Sequence, residues 1–380
     1  MNSGLIIEFV RDTFKSSDFI PLHAPFFGAN EKKYVLECIE STFVSSVGAF
    51  VTEIENDLKN KLNCQSAIAV VNGTAALQVG LQLAGVKENT EVLTQALTFV
   101  ATTNAISYLG ASPVFLDVDM DTMSLSPQAI SLFLDEFGER RQDGVYNKQS
   151  GRKISACLPM HTFGFSARIE EIIQLCAAWD IPVIEDAAEA LGSMSNNQPL
   201  GTFGMCGVFS FNGNKILTAG GGGVIVTNNV AIGLKAKHLT TTAKIPHAYE
   251  FVHDEVGYNY RMPNLNAALL KAQIEQLDWM LLKKRELALQ YKEFFVGSGI
   301  ELKWERPNTR ANFWLTTIQV ESKEQRDIFL KETNDNGVMT RPVWKLMFEL
   351  PMYKDKQRDN QQNAQFLADR LINLPSSIIQ

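Results

Sequence analysis

Between about residue 65 and residue 230 the chain alternates short apolar runs with helical stretches, and that rhythm limits its fold more than any other feature. The apolar runs are Ala67–Val71, Glu91–Leu97, Pro113–Val118, Ile154–Pro159, Pro182–Glu185, Gly207–Phe211 and Gly223–Thr227. Helical spacing occupies Ala75–Ala84 and Arg168–Trp179 between the earlier ones. Runs this short and apolar read as buried strands, and strand–helix–strand alternation calls for a mostly parallel, mixed sheet flanked by helices. Ser126-Pro127 reads as a helix start, with an N-cap followed by proline at the first helical position. Glu139–Lys153 is polar and contains glycine, and reads as an exposed loop.

A long helical pattern without proline or glycine follows, from Asn266 to about Phe295, with Leu269, Leu270, Ile274, Leu277, Met280 and Leu281 among its apolar positions. Beyond it, Trp314–Val320 alternates like a strand and Glu324–Asn334 looks helical. The expected architecture is α/β. A large domain spans residues 20–265, and residues 266–380 supply a connecting helix and a smaller C-terminal α+β domain.

Hydrophobic residues make up 45% of the chain, enough for a large core, and the net charge of -7 gives no general attraction to nucleic acid or to an anionic membrane. No apolar run reaches the roughly 18–20 residues of a membrane-spanning helix. The cluster Leu5–Ile7 runs at once into Glu8, Arg11 and Asp12, which is not a secretion signal. Five cysteines without a Cys-x-x-Cys pair read as reduced and buried. Together these features suggest a cytoplasmic location.

Several chemistries are missing from the motifs. There is no His-Glu-x-x-His, the five histidines show no metal-ligand spacing, and Gly220–Gly223 does not continue as a dinucleotide fingerprint. Lys215 follows Asn214, not the glycine of a phosphate-binding Walker loop, and no Gly-x-Ser-x-Gly elbow occurs.

Four features remain. Asn72-Gly73-Thr74-Ala75-Ala76 opens a helix just after a strand, where backbone N–H groups favour an anion; it also reads as an ordinary turn. Phe99 ends the next strand, where an aromatic ring can stack on a flat heterocycle, or can simply be one core phenylalanine of 23. Asp186 ends the strand before Ala187-Ala188-Glu189, where a carboxylate can pair with a protonated pyridine nitrogen or can cap a helix. Lys215 follows the strand ending at Phe211 in a glycine-rich stretch, where a desolvated amine can form a Schiff base, although most lysines are solvated surface groups. Each is weak alone. Together they supply a phosphate cradle, a ring stacker, a ring-nitrogen partner and an amine for an aldehyde, the handles of pyridoxal phosphate.

These stretches resemble a known family in order and spacing. Asn72–Ala76, Leu97–Thr102, Pro159–Gly164, Glu185–Ser193, Ser210–Gly223 and Gly257-Tyr258-Asn259-Tyr260-Arg261-Met262 are similar to the DegT/DnrJ/EryC/StrS sugar aminotransferases, and the likeness runs from Pro21 to Ser377. The resemblance implies a type I aspartate-aminotransferase-like fold with pyridoxal phosphate in the large domain. Lys215 would form the Schiff base and shuttle a proton. Asp186 would bind the ring nitrogen and Phe99 would stack on the ring. Gly73, Thr74 and Ser210 would hold the phosphate, and Asn259 would reach it across a homodimer interface. Asn259 also reads as a structural turn residue. Arg261 would meet substrate or phosphate, and His161 would line the pocket or be a buried structural histidine.

Two positions depart from the commoner family pattern: Glu189, where glutamine is usual near the ring hydroxyl, and Gly221, where glutamate is usual. This variant, with Ser45-Ser46-Val47-Gly48 upstream, looks most like the branch that aminates UDP-linked 4-keto-6-deoxy sugars of the legionaminic acid or bacillosamine type. The implied substrates are glutamate as amino donor and a nucleotide sugar as acceptor. Arg341, Trp344 and Lys345, with Phe26 and Phe27 beside His23, are candidates for nucleotide or sugar contacts, or for ordinary packing. Other readings are a dehydratase-type relative, which would carry histidine in place of Lys215, and a non-catalytic regulatory protein of the same fold. A nicotinamide oxidoreductase shares the α/β pattern but would need the missing fingerprint.

Overall fold

A computed structural model describes residues 3–379. The main sheet is built from the runs read as strands, each trimmed at its ends. Ser66–Val70 forms one edge and pairs antiparallel with Gly223–Thr227. Gly223–Thr227 pairs antiparallel on its other side with Cys206–Ser210, which runs parallel beside Ile184–Asp186. Parallel bridges Cys157–Val183 and Met160–Asp186 carry the order on to Ile154–Leu158, then to Glu91–Gln95 and Ser112–Leu116, all parallel. Gly223–Thr227 alone runs against the rest.

Period-two alternation divides these strands between two cores. Ala67, Ala69, Leu93, Cys157, Phe209, Val224 and Val226 face one apolar cluster. Their neighbours Ile68, Val70, Val92, Ala156, Leu158, Val208 and Ile225 face the other. Both faces are apolar because helices cover both, which is why the runs read as continuous apolar segments. Helix Gly73–Leu83 lies against Cys206–Ser210 and Gly223–Thr227, and helix Ala49–Leu62 against Ser66–Val70.

Several sequence readings change in three dimensions. The long helix is two helices, Asn264–Glu275 and Leu277–Phe294, with Gln276 between them at φ −102° and ψ −1°. The Gln276 side chain donates to Glu31 Oε1 at 2.8 Å, a partner 245 residues away in the chain. The segment read as a loop holds a hairpin, Gly138–Arg141 against Gly144–Asn147. Asn147 anchors it, with its buried amide donating to Glu91 Oε2 at 2.8 Å. Ser126 precedes helix Pro127–Phe137, but its side chain makes no capping hydrogen bond.

A second sheet follows the long helices, in the order Glu301–Leu302, Thr316–Gln319, Leu371–Leu374, Arg341–Pro342. The N-terminal helix Ser3–Phe14 packs here against helix Lys323–Asp335. Its Ile6 and Val10 share a core with Leu287, Tyr291, Ile318 and Phe329. All five cysteines are free and buried, and burial pushes the Cys206 thiol up to about 12. Among the described residues no helix is long and apolar enough to cross a membrane.

Candidate active site

The strand ends set the site. Val70, Asp186 and Ser210 end their strands at one edge of the sheet, and Phe99 follows the strand Glu91–Gln95 at the same edge. In open α/β sheets ligands settle outside these carboxyl ends. A cleft of about 310 Å³ lies there, lined by Gly73, Thr74, Phe99, Thr102, Met160, Asp186, Glu189, Ser210, Lys215, Trp314 and Trp344 among others. A larger hollow of about 960 Å³ lies beside the hairpin Gly138–Asn147, but it holds none of these residues.

At one end of the cleft is the N-terminus of helix Gly73–Leu83. Asn72 caps it, its side chain accepting from Ala75 N at 2.8 Å. A β-carbon at Gly73 would come within 2.9 Å of the Ser210 β-carbon, so only glycine lets the Ser210 hydroxyl stand this close to the helix start. Backbone N–H groups, a helix dipole and a hydroxyl in this arrangement suit a phosphate.

Asp186 is buried at the floor. Thr102 donates to its Oδ2 at 2.7 Å and Ala188 N to its Oδ1 at 3.2 Å. Behind Thr102 stands Thr98, the two hydroxyl oxygens 2.7 Å apart. Burial pushes the Asp186 carboxyl up, and the Thr102 bond works against that rise. A cation placed against it would restore the charged form. A protonated pyridine nitrogen is such a cation.

Lys215 stands in the same cleft, its Nζ donating to Glu189 Oε1 at 3.1 Å. The other Glu189 oxygen accepts from Phe163 N at 2.9 Å. Burial raises the Glu189 carboxyl and the charge of Lys215 offsets part of that. Nζ also lies 4.0 Å from the ring centroid of Trp314. Phe99 is 48% exposed, so its face is open to a ligand on one side, while on the other it tilts against Trp344 at 6.2 Å. An anion cradle, an aromatic face, a buried carboxylate and an amine thus fit pyridoxal phosphate. That cofactor supplies an aldehyde carbon for amines and a ring that stores electrons.

The chain matches the DegT/DnrJ/EryC1/StrS aminotransferase family over residues 26–378. It belongs to that family. It is a transaminase and uses pyridoxal phosphate. Over 358 residues it is 35% identical to the GDP-perosamine synthase of Escherichia coli O157:H7, covering 94% of this chain and 93% of that one. Over 335 residues it is 36% identical to the putative pyridoxal phosphate-dependent aminotransferase EpsN of Bacillus subtilis (strain 168), covering 88% of this chain and 84% of that one. The fold matches that of PseC from Helicobacter pylori, an aminotransferase involved in the biosynthesis of pseudoaminic acid, with a TM-score of 0.84, 22% identity, and coverage of 94% and 93% of the two chains.

Several other expected site residues do not line this cleft. His161 is fully buried, with Nε2 3.0 Å from Glu185 Oε2 and Nδ1 accepting from Ala167 N at 3.2 Å. Both ring nitrogens are engaged and the ring does not line the cleft. Phe26 packs its ring on Trp279 at 5.0 Å. Arg341 is exposed, donating to Asn334 Oδ1 and Thr340 O. Arg261 donates to Asn259 Oδ1 at 2.8 Å, and neither lines the cleft of its own chain. Trp344 does line it, as does Trp314, which the sequence reading placed only at the start of a strand. Thr102, in the helix Val100–Tyr108, was not singled out along the chain, and its bond to Asp186, 84 residues on, has no local signal.

Proposed function

We propose that the chain moves an amino group from glutamate to the keto carbon of a 4-keto-6-deoxy sugar carried on a nucleoside diphosphate. The reading is carried by one observation: Lys215 and Asp186 face one cleft with the phosphate cradle of Gly73, Thr74 and Ser210. With the cofactor bound, Asp186 would face the ring nitrogen and favour its charged form, Phe99 would cover the ring, and Lys215 would take up and return a proton at the reacting carbon. General acid–base help of this kind is worth roughly 10²–10⁴-fold. The sugar is supported by relatives named GDP-perosamine synthase at 35%, 32% and 31% identity.

The carrier we propose is UDP, from the likeness of the Glu189 and four-glycine pattern to the legionaminic acid and bacillosamine branch. The perosamine synthases favour GDP as a second reading. Purified protein with added pyridoxal phosphate should show a yellow band that bleaches with glutamate. Assays with UDP-, GDP- and dTDP-linked 4-keto-6-deoxy sugars then rank the carriers. Inactivity on all three would remove the nucleotide-sugar reading.

We also propose a homodimer with shared sites, Asn259 serving the phosphate site of a second copy. Supporting this, Tyr249, Phe251 and Val256 just before it are more than four-fifths exposed, an apolar surface left without cover. An Asn259 variant mixed with an inactive Lys215 variant should regain activity through hybrid sites. No rescue despite subunit mixing would count against sharing.

A further inference from the structure

Trp314 comes from beyond the long helices, yet its indole face meets the active-site amine, with Lys215 Nζ 4.0 Å from the ring centroid. The ring is held from several directions. Its Nε1 donates to Asn214 O at 2.7 Å, one residue before the lysine. Its backbone N donates to Asn312 Oδ1 at 2.8 Å. Its carbonyl accepts from Lys284 Nζ at 2.8 Å. Lys284 is only 1% exposed, and its amine also donates to the Ser376 carbonyl, with no carboxylate among its bonded partners in the described residues. Burial pushes the Lys284 amine well below its ordinary value, and its bonds hold the backbone that carries Trp314.

A lysine that shuttles a proton must hold it for a time as an ammonium. Two groups reach it in that form, the Glu189 carboxylate at 3.1 Å and the Trp314 face. The carboxylate fixes charge but leaves a flexible four-carbon chain free to swing. A ring face restricts that swing and attracts the cation through its quadrupole.

We propose that Trp314 is a positioning residue that steadies the protonated amine of Lys215, and that the buried Lys284 anchors it there. This rests on the transaminase reading of Lys215 but not on the identity of the sugar. It also ties the proton carrier to the second sheet, since Thr316–Gln319 begins two residues after Trp314. Lys215 therefore depends on how that unit seats against the cleft.

The test uses full-length protein loaded with pyridoxamine phosphate, in which no bond joins cofactor and lysine. Mono-, di- and trifluorinated tryptophan are placed at position 314. Fluorine drains the ring face while nearly preserving its shape. Acetylation of Lys215 by acetic anhydride at fixed pH, followed by peptide mass spectrometry, reads the fraction of neutral amine. The rate should climb stepwise with fluorine content, by about threefold or more for the trifluorinated ring. Trp314→Phe, which keeps a face, should stay within about twofold of wild type. Trp314→Leu should label faster and lower kcat with little change in KM.

A flat response across the fluorinated series would overturn the proposal even if Trp314→Leu failed to fold. Glu189→Gln, which removes the other partner, shows that the assay senses the amine. Failure of the transaminase reading itself would look different: no glutamate-dependent bleaching in wild type, whatever the labelling rates.

Discussion

The Nζ of Lys215 lies 3.1 Å from Oε1 of Glu189, and the carboxylate side chain is 1% exposed. Burial raises the Glu189 carboxyl and the charge of Lys215 opposes that rise. In Glu189→Gln the amide can still accept from Phe163 N but carries no charge. We expect kcat to fall by about tenfold, a fraction of a general acid–base contribution, with KM for the sugar little changed. Steady-state kinetics with α-deuterated glutamate should show a larger isotope effect as proton transfer becomes limiting. An unchanged kcat would assign Glu189 to packing alone.

Lys215→Ala leaves Glu189 buried without its counter-charge. Burial already raises this carboxyl, and the charge that opposed the rise is then gone. A carboxyl whose folded pKa exceeds its unfolded value stabilises the fold below the unfolded pKa and loses that contribution as pH climbs through the folded one. The variant should therefore lose stability relative to wild type as pH rises from 5 to 8, read as urea midpoints. Parallel curves for the two proteins would contradict this sign.

Asp186 presents a trade between stability and chemistry. Its charged form is disfavoured by burial until a cation meets it. Asp186→Asn should raise the melting temperature of cofactor-free protein by about 1–3 °C. The same change should cut kcat by roughly 10²–10³-fold, the scale of a lost electrostatic partner. Scanning calorimetry and a glutamate half-reaction assay measure the two effects.

Gly73→Ala places a β-carbon 2.9 Å from that of Ser210. Relief of the clash must widen the gap between the helix start and the hydroxyl. Cofactor affinity should drop about tenfold or more, and stability by about 1–3 kcal/mol. Absorbance titration with pyridoxal phosphate and urea unfolding check both. Unaltered binding would show that the phosphate rests elsewhere.

His161→Ala tests a packing role against a substrate role. Glu185 keeps three backbone donors, Gly201, Phe203 and Gly204, but loses the imidazole. A loss of about 2–4 kcal/mol is expected from the cavity and the broken buried bond. The fraction that remains folded should keep its KM for the sugar within about threefold. A large rise in KM with normal stability would return His161 to the substrate pocket.

Much of this was legible along the chain because the signals are local. The apolar period of a buried strand, the Asn72-Gly73 turn and the placing of Asp186 and Lys215 after strands depend on neighbours a few residues away. The break at Gln276 was not legible, since the residue that bonds there, Glu31, is 245 positions distant. Nor was the hairpin at 138–147, whose anchor is a buried bond from Asn147 to Glu91. Its first strand, Gly138–Arg141, is charged and does not alternate between buried and exposed, so it carried no strand signal.

The sequence by itself determined the α/β sheet, the family and the order in which the cofactor handles occur, because each is written in contiguous residues. Only the tertiary structure decided that Thr102 braces Asp186, that His161 turns to Glu185, and that Trp314 and Trp344 wall the cleft. The physical reason is chain distance. A tryptophan 99 residues after Lys215 has no local pattern that aims it at an amine. What aims it are bonds from residues distant in the chain: its Nε1 to the Asn214 carbonyl and its carbonyl to the buried amine of Lys284.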